Sequence, residues 1–91
     1  MSLISKFNGN INVTGKLIKE YRLKNNLSYE KLSAKLDLIG ISIHKQSLYD
    51  IEHNKRTVKD YELFGLSVIF NVPVEEFLSD FMNDLKDEHI V

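Results

Sequence analysis

Apolar residues recur every three or four positions along most of this chain, and no sustained alternation of apolar and polar residues interrupts them. That spacing puts apolar side chains on one face of a helix, so the chain reads as a series of amphipathic helices. Pro73 is the only proline and the four glycines are scattered, so no flexible linker divides the sequence. A chain of 91 residues has material for one core and not for two. The expected fold is all-α: a compact bundle of five short helices, the last of them extended towards the C-terminus.

The first helix is expected from about Thr14 to Asn25, with Val13, Leu17, Ile18 and Tyr21 as its buried stripe. Asn25-Asn26 stops it, because Asn tolerates the left-handed backbone of a helix end. Ser28 caps a second helix that turns Leu32 and Leu36 inward. The segment from Asp37 to Ile43, with Gly40, connects to a third helix opened by Ser42 or His44. Leu48 and Ile51 lie on one face of that helix, and Gln46, Tyr49, Asp50 and His53 on another. The fourth helix, about Val58–Phe70, is apolar around much of its circumference and is expected to be covered on more than one side. Asn71 ends it and Pro73 starts the fifth, whose stripe runs from Val74 through Phe77, Leu78, Phe81 and Met82 to Leu85. Three parts follow: an N-terminal arm over 1–13, the main domain over 14–78, and an acidic helical extension over 79–91.

Charge divides along the same line. Residues 14–59 hold ten Lys and Arg against five acids, whereas residues 60–91 hold Lys86 against eight acids. The net charge of −1 hides a basic half fit to approach a polyanion and an acidic half that faces away. The absence of cysteine removes thiol chemistry and cysteine–zinc sites. His44, His53 and His89 stand too far apart for a metal-ligand spacing. No phosphate-cradling glycine loop occurs, and no nucleophile stands beside a base, so neither an enzyme nor a cofactor is expected. Nothing is apolar for long enough to span a membrane. Residues 1–13 lack a basic start followed by a long apolar stretch, so a cytoplasmic protein is expected.

Three features converge on one surface. A short helix is followed, after a turn, by a second whose outward N-terminal end carries Lys45, Gln46 and Ser47. These side-chain types read base edges: Lys suits guanine O6/N7, Gln suits adenine N6/N7, and Ser is adaptable. After Asn54 ends this helix come Lys55 and Arg56, cations suited to phosphate. Arg22 and Glu52 sit next to the inner faces of their helices, where an internal ion pair is expected.

Three stretches then carry a resemblance: Gly15-Lys16-Leu17-Ile18-Lys19-Glu20-Tyr21-Arg22, Asn26-Leu27-Ser28-Tyr29-Glu30-Lys31-Leu32-Ser33, and Gln46 through Arg56 with its Ile51-Glu52 and Lys55-Arg56. Together with Tyr61-Glu62-Leu63 and Val72–Leu78, they resemble the phage-repressor/Cro (XRE-type) helix-turn-helix over about Gly15–Leu78. The resemblance implies a lambda-repressor-like five-helix domain whose third helix enters the major groove of double-stranded DNA. By matching position, Lys45, Gln46, Ser47 and Asp50 would face the bases. Ser28, Tyr29, Lys31 and His53 would lie along the phosphates, with Lys55 and Arg56 just beyond, and Arg22–Glu52 would be the structural ion pair. Three departures stand out. The connection between helices two and three is about five residues longer than the tight family turn, Asp50 stands at a base-facing place, and Asn54 replaces a glycine.

Several of these residues have a plainer reading. Tyr29 is either a phosphate donor or a staple against the next turn. Tyr49 either stacks on sugar-phosphate or half-buries beside Leu36. His44 reads as a capping residue or a base contact, and His53 as a phosphate contact or a solvated side chain. Phe81, Met82 and Leu85 carry the last stripe beyond what a domain this small needs, and are expected to bury against a second copy in a homodimer. The leading function is a sequence-specific DNA-binding transcriptional regulator of repressor or antitoxin type. The competing one is a protein-interaction module that kept the bundle and lost DNA binding.

Overall fold

A computed structural model describes residues 9–79 and 81–83. Four α-helices, α1 (Gly15–Lys24), α2 (Tyr29–Leu38), α3 (Lys45–Glu52) and α4 (Asp60–Phe70), are followed by a short 3₁₀ helix, Val74–Leu78. Among the described residues the fold is all-α, with these five helices. Local chemistry sets the boundaries. The Ser28 hydroxyl accepts from Lys31 N at 3.1 Å and caps α2. His44 rather than Ser42 caps α3, its Nδ1 accepting from Gln46 N at 3.2 Å. Asn26, Asn54 and Asn71 all take the left-handed backbone, at φ 54°, 60° and 56°, as the short polar side chain of Asn allows. Helix α2 runs two residues further than its sequence pattern suggests, to Leu38, and the connection after it, with Gly40 at φ 82°, is correspondingly shorter.

The core is a single cluster in which every helix takes part: Ile18 from α1, Leu32 and Leu36 from α2, Leu48 and Ile51 from α3, Leu66 and Phe70 from α4, and Phe77, together with Ile43. Tyr21 closes one end, stacked on Phe70 at 5.8 Å and edge-on to Phe77 at 5.6 Å.

Two expectations are corrected. The fifth element does not begin as a regular α-helix. Val74–Leu78 forms a 3₁₀ turn, tight enough to set the buried Phe77 under Tyr21 and Phe70. Residues 81–83 are again helical, but Leu85 and the rest of the acidic extension lie outside the described residues. Helix α4 is not covered on all its apolar sides either. Leu66 and Phe70 are buried, whereas Phe64 is 60% exposed and Tyr61 and Val68 also face outward. Among the described residues, no further layer covers this second apolar face.

A second buried ion pair, unforeseen in the sequence, fixes the entry to α4. The Glu62 carboxylate, 2% exposed, accepts from both Arg56 terminal nitrogens at 2.9 Å and from Lys59 N at 2.9 Å. Burial pushes this carboxyl up, but the hydrogen bonds from Arg56 and Lys59 N more than offset it, and the net shift is downward. A carboxyl lowered on folding contributes stability above its unfolded value, and that contribution disappears as pH falls through the lower, folded value. The urea midpoint of the wild type should therefore fall as pH drops below about 4.5. Glu62→Gln should start less stable at pH 7 and flatten that acid slope. Parallel slopes for the two proteins would show that Glu62 contributes nothing to acid sensitivity.

Candidate nucleic-acid interface

Leu48 and Ile51, fully buried, hold α3 to the core, so the opposite face of the helix is turned to solvent. Lys45 and Gln46 are exposed at its N-terminal end, with Ser47 and Asp50 half-buried beside them. These two exposed side chains are each held by a carboxylate. Lys45 Nζ lies 3.2 Å from Glu30 Oε1, and Gln46 Nε2 donates to Asp50 Oδ1 at 3.1 Å. The Lys45–Glu30 pair is exposed on both sides, so it contributes between about 0 and 1 kcal/mol and yields readily to a stronger partner. Ser28, Tyr29, Glu30, Lys45, Gln46 and Tyr49 line one groove between the starts of α2 and α3.

Beneath this groove lies the brace that sets the angle of α3. Glu52, its side chain 0% exposed, accepts from Arg22 Nε at 2.7 Å, from Arg22 Nη2 at 3.1 Å and from the Tyr29 hydroxyl at 2.9 Å. Arg22 also donates to Leu27 O at 2.9 Å, and its guanidinium lies 4.1 Å above the Tyr29 ring. The hydrogen bond to Glu52 raises the Arg22 pKa against the opposing effect of burial. Burial, helped by Glu52, likewise pushes the Tyr29 hydroxyl up. The only proton of that hydroxyl is spent on Glu52, so Tyr29 has none to offer a phosphate. Its position is that of a brace.

The aromatic and cationic residues continue along α3. Tyr49 is half-buried and meets Tyr29 edge-on at 5.9 Å; His53 stacks on it at 3.8 Å, and Lys55 Nζ sits 5.5 Å from its centroid. His53 and Lys55 remain exposed, as do Ser28 and Lys31. Arg56 is placed differently from the free cation read in the sequence: its guanidinium faces Glu62 and Thr57 O. The hydrogen bond to Glu62 is the main cause of its raised pKa. Of the expected dimer contacts, Phe81 is half-buried and Met82 is 48% exposed.

The far end of α3 is tied to the N-terminal arm. Asn12 Nδ2 donates to Ile51 O at 3.0 Å and to Arg56 O at 2.8 Å, while its Oδ1 accepts from Thr14 N and Gly15 N. Asn54 reaches back, accepting from Ile11 N at 2.6 Å and donating to Gly9 O at 3.1 Å. Residues 9–13 thus form part of the support of α3. Thr14, the N-cap residue of α1, makes no side-chain cap hydrogen bond; Asn12 Oδ1 reaches Gly15 N from outside the usual cap position, so no local pattern in the sequence signals it.

A helix-turn-helix family model matches residues 18–77, about two thirds of the chain, from within α1 to Phe77 and including the Arg22–Glu52–Tyr29 brace. The chain belongs to this helix-turn-helix family. Neither the curated proteins nor the solved structures compared with it gave a match. A helix-turn-helix domain of this XRE/Cro type implies DNA as its partner and a binding rather than an enzymatic role. Among the described residues, no helix is long and apolar enough to cross a membrane.

Proposed function

We propose that this helix-turn-helix protein is a sequence-specific double-stranded DNA-binding transcriptional regulator of repressor or antitoxin type, with α3 as the helix that enters the major groove. The observation that carries this reading is the division of α3, with Leu48 and Ile51 fully buried on one side and Lys45 and Gln46 exposed at its N-terminal end. Lys45, Gln46, Ser47 and Asp50 form the base-facing set in this reading. Ser28, Lys31, His53 and Lys55 lie along the phosphates, whereas Tyr29, whose only donor goes to Glu52, and Arg56, whose guanidinium faces Glu62, act as braces. The basic half of the sequence meets the polyanion and the acidic half stays clear of it. The protein acts in the cytoplasm as a homodimer through Phe81, Met82 and Leu85, placing two α3 helices about 34–36 Å apart on successive turns of the duplex.

The test is binding of the full chain to a pool of random duplexes across a salt series. The expected affinity falls steeply with salt, with two protomers per site by the mass of the complex. Lys45→Ala and Gln46→Ala should each cost about 1–3 kcal/mol at a specific site. Lys55→Ala should weaken all duplexes alike and lower the salt slope by about 1.

One observation favours a second reading. Both exposed readers are held by carboxylates, Glu30 and Asp50, the arrangement a protein-interaction module would keep after losing DNA. Salt-insensitive or undetectable duplex binding would decide for that module.

A further inference from the structure

We propose that Asp50 is a positioning residue that fixes the side-chain amide of Gln46 so that it selects adenine and rejects guanine. The inference rests on the regulator reading above and adds what one side chain recognises. Gln46 and Asp50 are four residues apart on α3 and therefore share a face. The contact joins Gln46 Nε2 to Asp50 Oδ1 at 3.1 Å. A carboxylate has no proton to give, so only the nitrogen end of the amide can face it. Asp50 thereby decides which way round the amide sits.

The remaining valences follow from this. One amide proton is committed to Asp50, leaving Oε1 as an acceptor and the second N–H as a donor on the outward edge. An acceptor beside a donor matches adenine, whose N6–H donates and whose N7 accepts. Guanine offers two acceptors, O6 and N7, so it satisfies the N–H but sets an oxygen against Oε1. The charge of Asp50 behind the amide adds to that repulsion. Cytosine and thymine each satisfy half of the edge. A Gln46 with no such neighbour would turn its amide to suit either purine. Asp50 is itself half-buried, so burial restricts the conformations open to its side chain. A negative charge at a groove-facing position costs affinity for any duplex, and discrimination is what it gives in return.

The experiment selects bound duplexes from a random pool with the full-length wild type, Gln46→Ala, Asp50→Ala and Asp50→Asn, after a thermal melt of each variant. Asp50→Asn keeps the shape but lets either end of the Asn amide meet Gln46, so it removes the constraint with the least risk to folding. The base pair whose preference vanishes in Gln46→Ala marks the position. There the wild type should prefer adenine over guanine by roughly tenfold or more. Both Asp50 variants should reduce that ratio to about threefold or less, while binding to the pool as a whole holds or tightens. If the Asp50 variants change affinity for all four bases by one factor, or if the Gln46-dependent position selects guanine, or if Gln46→Ala relaxes no position, the proposal is overturned and the regulator reading stands. If the wild type binds no duplex at any salt, both are overturned.

Discussion

Glu52→Ala should destabilise the domain by about 3–5 kcal/mol in urea unfolding at pH 7. The carboxylate is fully buried and takes three hydrogen bonds, two from Arg22 and one from Tyr29. Its removal leaves a guanidinium that is 9% exposed with Leu27 O and a ring face for company, and no counter-charge. An uncompensated buried charge costs far more than the intact pair contributes, because the desolvation penalty is no longer offset. Against a total stability of about 5–15 kcal/mol for a domain of ordinary stability, that loss is large. The double variant Arg22→Leu/Glu52→Leu should recover much of it, since two apolar side chains of similar volume bury without charge. A Glu52→Ala cost below about 1 kcal/mol would show that water reaches Arg22 and that the brace does not hold α3. Far-ultraviolet circular dichroism on the same samples separates loss of the whole fold from loss of α3 alone.

What sequence reasoning reached and what it missed differ in physical kind. Helix positions were legible because caps and apolar spacing act within a turn: Ser28 reaches only to Lys31, and the left-handed Asn54 and Asn71 act where they stand. The inward faces of α2 and α3 followed from spacing alone, since Leu32, Leu36, Leu48 and Ile51 are all buried. Contacts set by the assembled fold were not legible. Asn12 donates to a carbonyl 44 residues away, and no local pattern records such a partner. Arg56 looks like a free cation until α4 is in place and presents Glu62 to it. The apolar run in α4 gives no sign of which face the bundle leaves open, and that face is the one with Phe64 and Val68. The same limit applies to the interface. Side-chain types on α3 name the chemistry of Lys45 and Gln46, but only the fold shows that Glu30 and Asp50 already hold them.

Asn12→Ala should cost roughly 3 kcal/mol, an effect out of proportion to a half-buried residue outside any helix. The amide joins three pieces of chain that share no helix: the start of α1, the last turn of α3 and the loop that leads to α4. Loss of its oxygen uncaps α1, worth about 1 kcal/mol. Loss of its nitrogen leaves the Ile51 and Arg56 carbonyls without that donor, worth a further 1–3 kcal/mol or so where water cannot replace it. Replacement is hindered because α1 comes very close here: a Cβ on Gly15 would run into the Ile51 carbonyl oxygen and the Asn12 side chain. Asn54→Gly makes the comparison. Glycine keeps the left-handed turn at φ 60° without strain and removes the ties to Gly9 O, Ile11 N and, at 3.4 Å, Asn12 N while leaving the Asn12 side chain's own bonds in place, so about 1 kcal/mol should be lost. If the knot at Asn12 sets the pitch of α3, Asn12→Ala should also weaken duplex binding under conditions where the variant is still folded, while Asn54→Gly should not. Equal stability losses for the two variants would mean that the arm is held by Asn54 alone and that Asn12 merely caps a helix.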